Sequence, residues 1–145
     1  MDTLERIRQL YQDYVAEIKS LEANRKLADG LLGIGRGPAD HPCNDRFAGS
    51  LEAELKKFAD QPPAPGETKA VLELIYQTPL EHQSLKTAYW MLLAVQGLTL
   101  ELIPALSAEE AEALWRWYSE AYPRWDRLPV QNQVLKKLNV ARKKG

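Results

Sequence analysis

The stretch around which this chain is organised runs from Ala28 to Phe47 and reads ADGLLGIGRGPADHPCNDRF. It holds four of the eight glycines, the one cysteine and one of the two histidines of the sequence. The segments on both sides have the apolar spacing of amphipathic helices. The unusual backbone and the unusual side chains therefore lie together, between two predicted helices.

Before this stretch, apolar residues recur at alternating spacings of three and four, which is typical of a helix that packs lengthwise on a partner. These residues are Leu4, Ile7, Tyr11, Tyr14, Ile18 and Leu21. Leu10 and Val15 widen the stripe beyond the narrow seam of a two-stranded coiled coil, which favours a helix bundle. We predict that Gly30 ends this helix, because glycine readily adopts the left-handed conformation found at helix C-termini.

The segment 29–43 is predicted to be a glycine-rich loop. It lacks the preceding strand of a dinucleotide fingerprint and the Gly-Lys-Ser/Thr ending of a P-loop, so its glycines are not a phosphate-binding signature. Two interpretations remain open: the glycines let a connector fold back over its own apolar residues, or they let the backbone approach a ligand. In both, apolar anchors such as Leu31, Ile34 and Pro38 favour an ordered loop.

A second helix is predicted to follow the loop, with Asp40 or Asn44 as its N-cap and Pro42 in its first turn. Its apolar face consists of Cys43, Phe47, Leu51, Leu55 and Phe58. Cys43 has two interpretations. It is either a small buried apolar residue, or a thiol acidified by a helix N-terminus and by neighbouring cations.

Prolines and basic residues mark the other irregular segments. Three prolines and a glycine make 60–67 a connector, since proline removes backbone donors and glycine favours turns. The segment 141–145 carries three basic residues at the end of the last helix, which we predict begins at Leu128 and Pro129. We predict that this basic tail frays, because chain termini of this composition usually do.

Two further signals predict helix starts. Thr78 followed by Pro79 has the order of a cap and a first helical residue. Ser107 and Glu110 have the spacing of a capping box, which predicts a helix from Ala108 to about Tyr122. Between these starts, the apolar run 89–98 is far shorter than the roughly 20 residues of a membrane span.

These patterns predict an all-α fold: a single domain over 1–145, built as a bundle of five to six helices with one glycine-rich loop after the first. A chain of 145 residues is long enough to bury a core without disulfides or metals. One cysteine and no secretory pattern at the N-terminus lead us to expect a cytoplasmic protein.

The favoured functional hypothesis is a module that binds a small molecule or a protein through the segment 30–47. Charged and polar groups cluster there over apolar anchors, and compact loops of this kind often carry function. The candidate ligand-binding residues are Arg36, Asp40, His41, Cys43, Asn44, Asp45 and Arg46. No cofactor or metal is predicted, and the pattern favours a protein that is not an enzyme.

Two alternatives belong to other classes. Asp40, His41, Cys43 and Asp45 are the residue types that bind zinc or iron, which suggests a metal-dependent enzyme, although none of the established metal-binding spacings is present. The last nineteen residues hold six basic and no acidic side chains, which suggests nucleic-acid binding. The rest of the chain has 13 basic and 20 acidic residues, so this alternative is disfavoured.

Overall fold

The fold is described from a computed structural model, which covers residues 2–32, 42–62, 64–82, 96–122 and 127–144, with the backbone alone for 24–32. These ranges contain six α-helices and no β-strand, which confirms the all-α prediction. The helices are α1 (Thr3–Leu32), α2 (Cys43–Ala59), α3 (Glu67–Glu81), α4 (Gln96–Leu102), α5 (Ala108–Ala121) and α6 (Pro129–Arg142). A 3₁₀ turn, Ile103–Ala105, extends α4.

The helices pack mainly in pairs. The most extensive pairing joins α5 and α6, and α1 packs against both α2 and α3. The predicted apolar face of α2 is confirmed, since all five of its residues are buried. On α1, the predicted stripe is buried at Ile7, Tyr11, Tyr14 and Ile18, and partly buried at its two ends. Periodicity therefore identified the surfaces that hold the helices together.

The end of α1 differs from the prediction. The helix continues through Gly30 to Leu32, so the prediction that Gly30 ends it is wrong. A glycine inside a helix costs only about 1 kcal/mol relative to alanine, and two leucines that favour helix follow it. The start of the predicted loop 29–43 is therefore helical, and Cys43 at its other end belongs to α2. Residues 33–41 lie outside the described residues.

The prediction that a helix starts at Thr78 and Pro79 is also wrong, because α3 runs through both residues to Glu81. The Thr78 hydroxyl donates a hydrogen bond of 2.7 Å to the carbonyl of Leu74, one turn back in the same helix, instead of capping a new one. Pro79 lies in the last turn of α3, where the loss of its N–H removes a single bond. The proline therefore precedes the end of a helix instead of starting one.

The start of the basic tail 141–145 is helical in the part of the chain that the structure describes. Helix α6 extends to Arg142, and Ala141 is only 3% exposed because it continues the buried row of Val134 and Leu138. The Nζ atom of Lys144 donates a hydrogen bond of 2.8 Å to the carbonyl of Pro104. The basic composition suggested a solvated end, whereas the apolar row and these side-chain bonds fix it to the rest of the molecule.

Other predicted boundaries agree with the structure. The connector separates α2, which ends at Ala59, from α3, which begins after Gly66. Gly66 has a φ of 80°, a left-handed conformation that residues with a Cβ rarely adopt. The capping box is present, since Ser107 Oγ accepts from the Glu110 N–H and the Glu110 carboxylate accepts from the Ser107 N–H. None of the helices in the described ranges is long and apolar enough to cross a membrane.

Candidate functional site

The predicted binding residues divide into two groups. Arg36, Asp40 and His41 lie outside the described residues, so the structure does not test them. The other four residues, Cys43, Asn44, Asp45 and Arg46, form the first turn of α2. Pro42 occupies the N-cap position of this helix, and no side chain caps it. Asn44 is inside the helix, so its predicted role as the cap is wrong.

Asn44 joins α2 to α1. It is 5% exposed, and its Oδ1 atom accepts a hydrogen bond of 2.5 Å from the hydroxyl of Tyr14. The ring of Tyr14 also stacks on Phe47, with ring centroids 4.2 Å apart and planes inclined by 7°. A hydrogen bond between two buried polar groups is costly to break, because water does not readily replace it. In this structure Asn44 orients the two helices.

Of the two interpretations of Cys43, the structure supports the first, a small buried apolar residue. The residue is 2% exposed and packs in the core with Phe47. Burial raises the pKa of its thiol, and the nearby Glu17 carboxylate raises the pKa further, against an opposite effect of Arg46. The interpretation as an acidified, reactive thiol is wrong for this structure, because reactive cysteines need a lowered pKa and solvent access.

A small cleft opens between α1 and α2 beside these residues. We call it the α1–α2 cleft; its volume is about 140 Å³. It is lined by Leu10, Asp13, Tyr14 and Glu17 from α1 and by Cys43, Arg46, Phe47 and Ser50 from α2. The cleft thus combines an apolar wall with charged groups at its rim, the usual composition of small ligand sites.

The charges at the rim are accessible to solvent. Arg46 Nη2 lies 3.1 Å from Glu17 Oε1, and these side chains are 64% and 39% exposed. An exposed ion pair of this kind contributes little to stability. Asp13, which is also exposed, accepts a hydrogen bond of 2.8 Å from Gln9. The rim therefore holds two carboxylates and one guanidinium, all of which are accessible to solvent.

The residue pattern predicts Cys43 and Arg46 of this cleft as site residues, but it does not predict the residues of α1. Asp13 and Glu17 are spaced by four and flank Tyr14, so they lie on the edge of the apolar stripe. This spacing is common on any amphipathic helix. Only the packing of α1 against α2 places these carboxylates opposite Arg46.

The alternative metal site gains no support in the described part of the chain, where no group of three or more histidine, cysteine, aspartate or glutamate side chains is placed to hold an ion. Of the four residues in that hypothesis, only Cys43 and Asp45 are described. One is buried and the other is exposed, so their side chains do not share one environment.

The basic residues proposed for nucleic acid are partly used inside the molecule. Arg142 Nη1 donates a hydrogen bond of 2.9 Å to Glu112, and its guanidinium lies 3.9 Å above the ring of Trp115. Hydrogen bonds from Arg142 and then from Arg116 lower the pKa of Glu112. Arg127 donates to the carbonyl of Tyr122 at 2.7 Å. These basic groups hold the C-terminal helices together.

Comparisons with protein-family models, with curated proteins and with solved structures find no significant match to this chain. The function is therefore inferred from the residues and the geometry of this protein alone.

Proposed function

We propose that this protein is a binding module whose site is the α1–α2 cleft, and that its ligand is a small organic cation. The observation that carries the proposal is the charge at the rim, where Asp13 and Glu17 supply two carboxylates against one guanidinium, that of Arg46. The proposal keeps part of the segment 30–47 as the site and adds one face of α1.

The wall of the cleft suits the same ligand class. Tyr14 and Phe47, whose rings stack on each other and are almost fully buried, line the cleft next to the carboxylates and form part of its apolar wall. An amine with a short aliphatic chain would place its carbons against Leu10 and the rings and its charge at the rim. Apolar walls with a few polar groups that fix orientation are typical of ligand sites.

The size of the cleft limits the ligand. A volume of about 140 Å³ is below the ≈ 300–1,000 Å³ of pockets for drug-sized molecules. The cleft accommodates a small diamine, or a single lysine or arginine side chain from a protein partner. Both sources offer a cationic group at the end of a short aliphatic chain, so the experiments distinguish them by comparing a free amine with a peptide.

The direct test is a calorimetric titration of the whole chain with cadaverine, with glutarate as an anion of equal chain length. We expect cadaverine to bind and glutarate not to bind. A lysine-containing peptide that binds at least tenfold more tightly than cadaverine would identify a protein partner. Equal binding of both probes, or binding of neither, would contradict the proposal.

A matched pair of variants assigns the binding to the cleft. Asp13→Asn removes a carboxylate from the rim, whereas Asp60→Asn makes the same change at an exposed position after the end of α2. We expect Asp13→Asn to weaken cadaverine binding about tenfold, which is the effect of losing one charge-assisted hydrogen bond. Asp60→Asn should bind as the parent chain does. A similar loss in both variants would point to a non-specific charge effect.

The domain and location predictions belong to this proposal as well. We propose that residues 1–145 act as one domain, because buried residues of all six described helices either join one apolar cluster or pack beside it. We also propose a cytoplasmic protein, since cytosolic conditions keep thiols such as Cys43 reduced. Limited proteolysis that releases two independently folded fragments would contradict the first of these proposals.

A further inference from the structure

The outer face of α6 carries the basic residues of the C-terminal segment that the fold does not use. Of the six basic residues in the last nineteen, Arg127 and Arg142 form hydrogen bonds within the molecule. The other four are all exposed, and they are Lys136, Lys137, Lys143 and Lys144. No ion pair joins these lysines to the described residues. The ammonium of Lys144 donates a hydrogen bond to the carbonyl of Pro104, which keeps its charge.

The four lysines surround one exposed apolar residue, Val140, which is 65% exposed. Lys136 and Lys137 precede it by four and three residues, and Lys143 and Lys144 follow it by three and four. Residues at these spacings are neighbours on a helix surface, and Lys143 keeps helical backbone angles as the C-cap of α6. We call the surface formed by these five residues the lysine face.

The charge of the lysine face is not offset on its own helix, since Pro129–Arg142 contains no aspartate or glutamate. On the neighbouring helix α5, the carboxylate of Glu112 pairs with Arg116 and Arg142. Outside the last nineteen residues the chain has 13 basic and 20 acidic residues. A polyanion is therefore repelled by most of the chain and attracted by this one face, which the composition of the whole chain does not reveal.

The lysine face fits a membrane or a protein partner less well than it fits a nucleic acid. A helix that lies on a membrane buries its apolar side in the lipid, whereas the apolar side of α6, with Val134 and Leu138, is buried in the core. Protein interfaces are depleted of lysine and centre on aromatic or arginine side chains, and the lysine face has neither. Contacts to phosphates require only well-placed positive charges.

We propose that the lysine face binds the phosphate backbone of double-stranded DNA, with α6 at the major groove. Lys136 and Lys137 differ by roughly 100° around the helix axis, so lysines lie on both sides of Val140 and reach the phosphates of the two strands. Val140 between them faces the base edges, where apolar side chains contact thymine methyl groups. The B-form major groove admits a helix, whereas that of A-form RNA is too narrow. This proposal does not depend on the cation site of the α1–α2 cleft.

The test is the fluorescence anisotropy of a labelled DNA duplex of about 20 base pairs, or two helical turns, titrated with the whole chain at several salt concentrations. Four phosphate contacts predict that the logarithm of the binding constant falls with the logarithm of salt concentration at a slope of about −3.6. Binding should therefore weaken about 150-fold between about 50 and 200 mM salt. No binding at the lower salt concentration, or binding that does not depend on salt, would overturn the proposal.

A matched pair of double variants locates the binding on the molecule. Lys136→Gln combined with Lys143→Gln removes two charges from the lysine face, which should weaken binding and reduce the slope to about −1.8. Lys19→Gln combined with Lys57→Gln removes two charges from exposed positions of α1 and α2 and should leave the slope unchanged. Equal slopes for the parent chain and both variants, or an equal reduction in both variants, would exclude the lysine face.

Competition identifies the class of polyanion. Unlabelled DNA duplex should displace the labelled duplex, whereas polyglutamate, phosphatidylserine vesicles and an RNA duplex of the same length should compete at least tenfold less well. Polyglutamate or vesicles that compete as well as DNA would overturn the proposal in favour of an acidic protein or a membrane. An RNA duplex that competes as well as DNA would overturn the placement at the major groove. Cadaverine binding should be the same in the lysine-face variant and the parent chain, so the two proposals fail separately.

Discussion

The α1–α2 pair and the α5–α6 pair use charged side chains in opposite ways. Between α5 and α6, Arg142 is fixed by Glu112 and by the ring of Trp115, and it is 24% exposed. Between α1 and α2, the corresponding charged contact is Arg46 with Glu17, in which the arginine is 64% exposed. The polar contact that joins α1 and α2 in the interior is the buried hydrogen bond between Tyr14 and Asn44. Charged groups that the fold does not need are available to a ligand.

The largest expected effect is loss of both helix pairs at alkaline pH. Burial raises the pKa of Tyr122 to about 12, and it also raises the pKa values of Tyr11, Tyr76 and Tyr118 above their usual range. These tyrosines lie in α1, α3 and at α5, so both pairs depend on neutral phenols. In the unfolded chain the same groups ionise near pH 10.

Stability should therefore be unaffected by these tyrosines below about pH 10 and should fall as the pH rises toward 12. Circular dichroism and tyrosinate absorbance, recorded together, check this expectation. We expect helix loss and tyrosine ionisation in one transition. Tyrosinate signals from these residues in a chain that keeps its full helix content would contradict the burial of the phenols.

The next largest effect is expected for Asn44→Ala. The change removes the Asn44 oxygen that accepts a hydrogen bond from the buried Tyr14 hydroxyl, which should lower the free energy of unfolding by about 1–3 kcal/mol. Denaturant unfolding measures it. The control is the double variant with Tyr14→Phe, which removes both partners and should recover part of the loss. If Asn44→Ala changed stability by less than its exposed neighbour Asp45→Ala, the hydrogen bond would not orient the helices.

A smaller loss is expected when the chain is cut after Val140. The cut removes the buried Ala141, the stacking of Arg142 on Trp115 and the bond from Lys144 to Pro104. The expected decrease is about 1–2 kcal/mol, of which the cation–π contact supplies about half. A chain lacking Gly145 alone is the control. Equal melting temperatures for the two truncated chains would support a frayed tail after all.

The smallest effect is expected for Arg46→Ala, since its ion pair with Glu17 is exposed. Unfolding free energies should change by less than about 0.5 kcal/mol. The comparison with Arg142→Ala, which should cost about 1 kcal/mol, separates the two helix pairs. A larger loss for Arg46→Ala than for Arg142→Ala would reverse the comparison.

The sequence predicted the buried faces of the helices better than the residues at which the helices begin and end. The face of α2 from Cys43 to Phe58 follows directly from residue spacing, and burial confirms it. Local rules predict that Gly30 ends a helix and that Pro79 begins one, but both residues lie within helices. A glycine or a proline within a helix costs about as much free energy as one or two contacts contribute. Neighbouring turns and tertiary packing therefore decide where a helix ends.

The candidate site was only half predictable. Arg46 stands out because it lies within the unusual stretch from Ala28 to Phe47, whereas Asp13 and Glu17 have the ordinary polar positions of an amphipathic helix. For Arg142 the prediction failed in the other direction. The basic composition of the tail suggested a solvated side chain, whereas the guanidinium of Arg142 stacks on the ring of Trp115. Both cases depend on which helix packs against which, and the spacing of residues along one chain segment does not contain that information.

The proposed function requires the rim of the α1–α2 cleft to receive a cationic ligand. The most direct measurement is an amide NMR titration of the whole chain with cadaverine, which reports on every backbone position at once. We expect saturable shifts confined to the lining of the cleft, near Asp13, Glu17 and Arg46, with the amides of α5 and α6 unchanged. Shifts spread evenly over the acidic surface, or centred on α5 and α6, would contradict it.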